Sequence, residues 1–277
     1  MLSIYSVLLA SVVRADIPVY KVVVGPVPGY TGATAKDYAS TPGWQFTLEL
    51  ACRVEQAIGH KIEVEFINSW SRANYMFRQA HIDVLFPEIV GDTTQPGITG
   101  TLVGKGNGFS FYVNANANKK IKTWKDLEGA VVATLRGRFY PPELLNNSKI
   151  TFQEINTPEQ AFKMLEAERV DLVAENPFIA QALIKELNLS EKIVATELID
   201  SSQHNKVSAN HYIAYRFHAD TQGIKLLESF NIAIGEMLAS GVYQDIFADV
   251  PQAFSGLSAS NHNKTNVDSK KRCYKNG

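Results

Sequence analysis

The residues able to do covalent chemistry are sparse and badly spaced. No G-x-S-x-G, H-E-x-x-H or C-x-x-C run occurs in the 277 residues, and Gly104-Lys105-Gly106-Asn107-Gly108 lacks the spacing of a phosphate-binding loop. His204, His211 and His218 recur every seven residues. Along a strand an odd spacing sends neighbours to opposite faces, so the three do not converge on a metal. Glu166 and Glu168 fall on a helix surface, where solvation explains them. Cys52 lies in an amphipathic helical run and Cys273 near the C-terminus; a disulfide between them is open but not favoured, and no metal spacing exists. No metal, no cofactor and no catalytic residue is therefore expected, and binding is the chemistry left to consider.

The elements that must position a binding site are legible through a repeat. Residues 67–86 and 155–174 align without a gap: Ile67 with Ile155, Asn68 with Asn156, Ser69 with Thr157, Ala73 with Ala161, Met76 with Met164, Phe77 with Leu165 and Asp83 with Asp171. Each copy has an apolar strand end, a hydroxyl residue able to cap free backbone N–H groups, a helix with apolar residues three and four apart, and a second apolar strand. Thr157 carries the stronger start signal, with Pro158 first in the helix and Gln160 three after the cap. Such a unit closes as a right-handed crossover onto a parallel sheet, so two copies imply two α/β lobes. Ligands bind such sheets outside the carboxyl ends of the strands, and two lobes facing each other through those ends make a cleft.

Around the repeat, residues 20–24 read as a strand followed by a Gly/Pro-rich loop to Tyr30 and a polar loop to Gly43. Residues 46–58 form an amphipathic helix ended by Gly59, and residues 61–67 a second strand. Thr123 with Asp126 starts a helix, residues 131–134 make a buried strand, and Pro141-Pro142 opens a short helix. Residues 192–198 and 208–216 read as strands. Residues 220–240 read as a long helix with Ile224, Leu227, Ile234 and Leu238 inward, ended by Gly241.

Several runs, taken in order, resemble the extracellular solute-binding proteins of family 3, the polar amino-acid binding proteins of ABC importers. They are the helix ending in Gly59, the strand with Trp70 three past its end, A-H-I-D-V-L-F at residues 80–86, I-K-T-W-K-D-L-E-G at 121–129 with A-V-V-A-T after it, residues 157–178, and Y-Q-D-I-F at 243–247. The resemblance covers residues 20–250. It implies a type II periplasmic binding protein fold: α/β, two lobes, each a mixed, mostly parallel sheet flanked by helices, joined by two hinge strands at residues 109–113 and 212–215. Lobe one would be residues 16–109 and 216–251, and lobe two residues 110–215. It further implies ligand contacts at five loops, occupied here by Tyr30, Trp70, the Phe86-Pro87-Glu88 turn, the segment from Arg136 through Arg138 to Tyr140, and Glu175-Asn176. Trp70 would be an aromatic wall or else a helix-start staple. Glu88 would stand at the mouth of its strand, and Arg138 would grip a carboxylate in a planar fork; a solvated loop Glu and a surface Arg are the plain alternatives. Residues 91–97 contain no Arg, where family members that hold an α-amino acid usually carry one, so a standard amino-acid ligand is in doubt.

The remaining segments bear on address and partners. Residues 1–15 are apolar from Leu2 to Val13 and end Val13-Arg14-Ala15, too short to span a bilayer and suited to a signal peptide; no Cys follows for lipid anchoring. Residues 252–277 carry five basic side chains against Asp268 and read as a disordered tail. The body between has a net charge near −6, which argues against nucleic acid. The expected protein is a periplasmic monomer that closes on a small polar solute and presents it to an ABC permease in the inner membrane, or to a membrane sensor. A lyase of the cyclohexadienyl dehydratase type is the enzyme alternative, with Glu88 or Glu175 as its acid.

Overall fold

The computed structural model describes residues 19–27, 40–90, 96–105, 109–138, 140, 142–196, 212–248, 255–256 and 272–274. The expected leader, residues 1–15, and Tyr30 lie outside them.

Two β-α-β units set the architecture. In the first, β1 (Val19–Val24) precedes α1 (Pro42–Ile58), β2 (Lys61–Phe66), α2 (Trp70–Arg78) and β3 (Val84–Ile89). In the second, β6 (Val131–Leu135) precedes α3 (Pro142–Leu145), β7 (Thr151–Ile155), α4 (Pro158–Glu166) and β8 (Leu172–Glu175). The repeat read from the sequence holds at the level of single hydrogen bonds. Ser69 caps α2 by accepting from the Arg72 N–H at 3.3 Å, and Thr157 caps α4 by accepting from the Gln160 N–H at 3.2 Å. Both helices leave through a left-handed residue, Ala80 (φ 53°) and Glu168 (φ 52°). Asp83 Oδ2 accepts from the Lys21 N–H at 2.7 Å, and Asp171 Oδ2 from the Val131 N–H at 2.8 Å. Each aspartate therefore ties the entrance of the second strand to the first.

The strand orders correspond. β1 lies between β2 and β3, parallel to both, and β6 lies between β7 and β8, parallel to both. Antiparallel strands complete each sheet. In the first, β10 (Tyr212–Phe217) pairs with β3 and with β4 (Ile98–Lys105), and β11 (Ser255–Gly256) pairs with β4. In the second, β5 (Ser110–Asn114) pairs with β8 and with β9 (Ile193–Thr196). Each sheet is thus mixed and flanked by helices.

Apolar faces explain the packing. Phe46, Leu50 and Val54 of α1 meet Leu226, Phe230, Ala233 and Met237 of α6 (Thr221–Ala239) over Val22, Val24, Val84 and Phe86. On the other face of that sheet α2 buries Ala73 and Phe77 against Val23 and Leu85. Phe162 and Leu165 of α4 pack with Ile179, Ala180 and Leu183 of α5 (Pro177–Glu186) in the second lobe. The short α7 (Val242–Ile246) follows Gly241, whose φ of 77° turns the chain.

Four expectations change. Tyr212 to Tyr215, assigned to the second lobe, lie wholly in the first sheet as part of β10, because their backbone groups pair with β3 and β4. Ile224 is exposed, not inward; the buried face of α6 is carried by Leu226, Phe230, Ala233, Ile234, Met237 and Leu238. α1 begins at Pro42, four residues early, with the proline in its first turn. The disulfide that was not favoured is present: Cys52 and Cys273 are bonded, with Cα atoms 5.9 Å apart. The same segment is held electrostatically, since both carboxylate oxygens of buried Glu49 accept backbone N–H groups, from Cys273 and Tyr274, each at 2.9 Å. The tail is accordingly not a wholly disordered extension.

Candidate functional site

The second lobe presents its polar groups at the carboxyl ends of β6 and β8. β6 runs into a turn made by Arg136, Gly137 and Arg138, with Gly137 at φ 75°. Tyr140 closes that turn by accepting the Leu135 N–H on its hydroxyl at 2.9 Å and by stacking on Phe109 at 5.3 Å between centroids. The guanidinium of Arg138 sits 5.2 Å from the Phe109 ring centre, a cation–π placement. Its Nη1 lies 2.5 Å from one oxygen of Glu175 and 2.6 Å from the other. Glu175, at the end of β8, is 1% exposed and also accepts the Asn176 N–H at 2.6 Å. Burial opposes the charge on Arg138, but the adjacent Glu175 carboxylate and Tyr140 together outweigh it and hold the guanidinium above its ordinary pKa. Burial pushes the Tyr140 hydroxyl up to about 12.

In the first lobe the first turn of α2 faces the end of β1. The Trp70 indole lies flat on Gly25, where a Cβ would sit 2.6 Å from ring carbons, and its Nε1–H donates to the Pro26 carbonyl at 3.2 Å. Glu88 is in β3, after a cis Phe86–Pro87 bond, and is buried. Its Oε2 lies 3.1 and 3.2 Å from Nη2 and Nε of Arg216 on β10, and Arg216 also donates from Nη1 to the Pro96 carbonyl at 3.1 Å.

The lobes touch where these two arrangements meet. Asn74 of α2 donates from Nδ2 to the Gly137 carbonyl at 2.9 Å. A Cβ on Gly137 would lie 2.9 Å from the Ser71 backbone nitrogen, so only glycine lets the turn approach the helix this closely. Val27, just past β1, packs against the cores of both lobes. Trp70 and Arg138 are the chain neighbours of Ser71 and Gly137, one on each lobe. Asn74 Oδ1 is buried there without a partner among the described residues.

No protein-family model matches the chain, and no curated protein sequence matches it. Solved structures do. The arginine-bound substrate-binding protein AbpA of an amino acid ABC transporter from Streptococcus pneumoniae superposes with a TM-score of 0.62 at 14% identity, over 88% of this chain and 97% of that one. A histidine kinase sensor domain with similarity to periplasmic binding proteins gives 0.60 at 18%, over 83% and 94%. A mutant of the arginine-binding protein from T. maritima gives 0.57 at 17%, over 83% and 93%. The fold is that of the two-lobed periplasmic binding proteins.

Within the periplasmic-binding-protein fold, the residues expected at the cleft separate into three groups. Trp70, Arg138, Tyr140, Glu175 and Asn176 gather at or beside the interlobe contact. Arg136 points away, with an exposed side chain 3.4 Å from exposed Glu154. Glu88 is not an open carboxylate at the strand mouth but one half of an ion pair inside its own lobe. Likewise, Arg138 does not present an unmatched charge, because Glu175 already holds it. Sequence reasoning missed Arg216, Phe109 and Asn74 as site residues, while Gly137 lies inside the expected segment 136–140. Arg216 did leave a signal: a lone arginine inside the apolar run Y-I-A-Y-R-F must find a carboxylate if that strand is buried. Among the described residues no cluster of His, Cys, Asp or Glu is arranged to hold a metal, and no helix is long and apolar enough to cross a membrane.

Proposed function

We propose that the protein is a periplasmic solute-binding protein that captures a small polar solute, an amino acid or a related compound, between its lobes and delivers it to an ABC importer. The observation that carries this reading is the direct contact of the α2 first turn with the Arg136–Arg138 turn, with Trp70 on one side and the Arg138–Glu175 pair on the other. A solute touching both lobes favours the closed arrangement by the contacts it makes only there. The Cys52–Cys273 disulfide fits an oxidising compartment outside the cytoplasm, in keeping with an exported chain. Glu88 and Glu175, the acids a lyase would need, are each engaged by an arginine, which favours binding over catalysis.

The decisive experiment is a thermal-shift screen of the purified protein against amino acids, polyamines, small carboxylates and uncharged solutes. At least one compound should raise the melting temperature in proportion to the logarithm of its concentration. A flat response across such a library refutes solute capture. Likeness to a histidine kinase sensor domain favours a second reading, in which the loaded protein informs a membrane kinase. Permease genes beside its own gene support delivery, and a lone kinase gene supports sensing.

A further inference from the structure

Among the described residues, the buried charges beside the interlobe contact are already balanced. Arg138 and Glu175 neutralise each other at 2.5–2.6 Å, and a second buried pair, Glu88 with Arg216, does the same in the first lobe. A carboxylate brought to Arg138 would make a third charge beside a buried Glu175, and an ammonium brought to Glu175 would displace an arginine that holds both of its oxygens. Either removes an ion from water without supplying an unmatched partner, which burial punishes heavily.

Hydrogen-bonding capacity is left over on both sides of the contact. Arg138 bonds Glu175 through Nη1 alone, so its Nε and Nη2 donors are unused among the described residues. On the facing helix, Asn74 is 5% exposed and its orientation is fixed, because the group on the Gly137 carbonyl must be the Nδ2 donor. Its Oδ1 is then a buried acceptor with no partner among the described residues. An orphaned acceptor of this kind is destabilising unless a donor reaches it.

Resting on the solute-binding reading, we infer that the solute is uncharged and carries both an acceptor oxygen for Arg138 and an N–H or O–H donor for Asn74, as an amide or a polyol does. Arg138 and Asn74 read it, and Glu175 sets its charge by cancelling that of Arg138. Glu175 is a specificity-determining residue in this scheme: without its carboxylate the same arginine selects anions.

The test pairs wild type with Glu175→Gln. Both are titrated by calorimetry and thermal shift with L-arginine, L-glutamate, succinate, and a panel of uncharged amides, sugars and polyols. In wild type an uncharged compound binds and the charged ones do not; in Glu175→Gln succinate binds at least about tenfold more tightly than in wild type. Should Glu175→Gln fail to fold, the wild-type titrations decide by themselves, because the inference requires an uncharged compound to bind and the three charged ones not to. Wild type that binds L-arginine, L-glutamate or succinate, or a folded Glu175→Gln that gains no affinity for succinate, overturns the inference and leaves solute capture standing. Wild type that binds nothing, charged or uncharged, overturns solute capture and the inference with it.

Discussion

Replacing Arg216 by Met should be the most damaging single change in the first lobe. The guanidinium is 1% exposed and the Glu88 side chain 7%, so neither charge can turn to solvent when its partner is removed. Breaking a buried ion pair from one side costs about 3–5 kcal/mol, because the remaining charge stays buried. The bond from Nη1 to the Pro96 carbonyl adds about 1 kcal/mol. At roughly 2–4 °C per kcal/mol for a chain of this size, the melting temperature of the lobe falls by about 8–24 °C. Glu88→Gln alone leaves Arg216 uncompensated and should lose a similar amount. The double variant Glu88→Gln/Arg216→Met leaves no buried charge and should recover at least about 2 kcal/mol relative to the sum of the single losses. Urea unfolding followed by tryptophan fluorescence in a Trp124→Phe background reads this lobe, since Trp44 and Trp70 belong to it and Trp124 to the other. Additivity of the two single changes within about 0.5 kcal/mol would refute the pairing as the reason these residues are buried.

Gly137→Ala should act on the contact between lobes. The left-handed φ of 75° costs alanine about 1–2 kcal/mol, and its Cβ collides with Ser71 only when the lobes meet, so small-angle scattering should show a larger radius of gyration than for wild type. Tyr140, whose hydroxyl is pushed up to about 12 by burial, contributes stability that is complete below pH 10 and lost as pH rises from there toward 12; Tyr112 and Tyr243 are raised in the same way, so Tyr140→Phe should make the alkaline loss shallower while stranding the Leu135 N–H, at about 1–3 kcal/mol. Reducing Cys52–Cys273 opens a crosslink spanning 221 residues, for which loop-closure entropy gives about 5 kcal/mol; denaturant midpoints with and without a reductant should differ, and identical midpoints would show that the crosslink does not stabilise the fold.

What could be read from the sequence was what neighbouring residues decide. The caps at Ser69 and Thr157, the Thr123–Asp126 capping box and the stop at Gly59 are all local, and each stands where the pattern placed it. Their recurrence at one spacing carried the two-lobe architecture. What escaped was set by contacts between distant segments. Glu88 finds Arg216 across 128 residues, Asn74 reaches Gly137 across 63, and Cys52 bonds Cys273 across 221. No periodicity encodes such pairs, so the charges of Glu88 and Arg138 looked available for a ligand when protein partners already held them. Ile224 misled for a related reason. Its spacing fits an inward stripe, but the buried face of α6 is set by where α1 lies, and that face runs through Leu226 and Phe230.

The placement of β10 between β3 and β4 has a temporal consequence. Until the chain reaches residue 217, the first sheet exists only as the parallel trio β2-β1-β3 and a separate β4 with nothing between them. The second sheet, by contrast, is complete in one unbroken stretch ending at Thr196. A polypeptide emerging from its N-terminus therefore finishes its middle before its beginning, and the half that starts first is the last to be sealed.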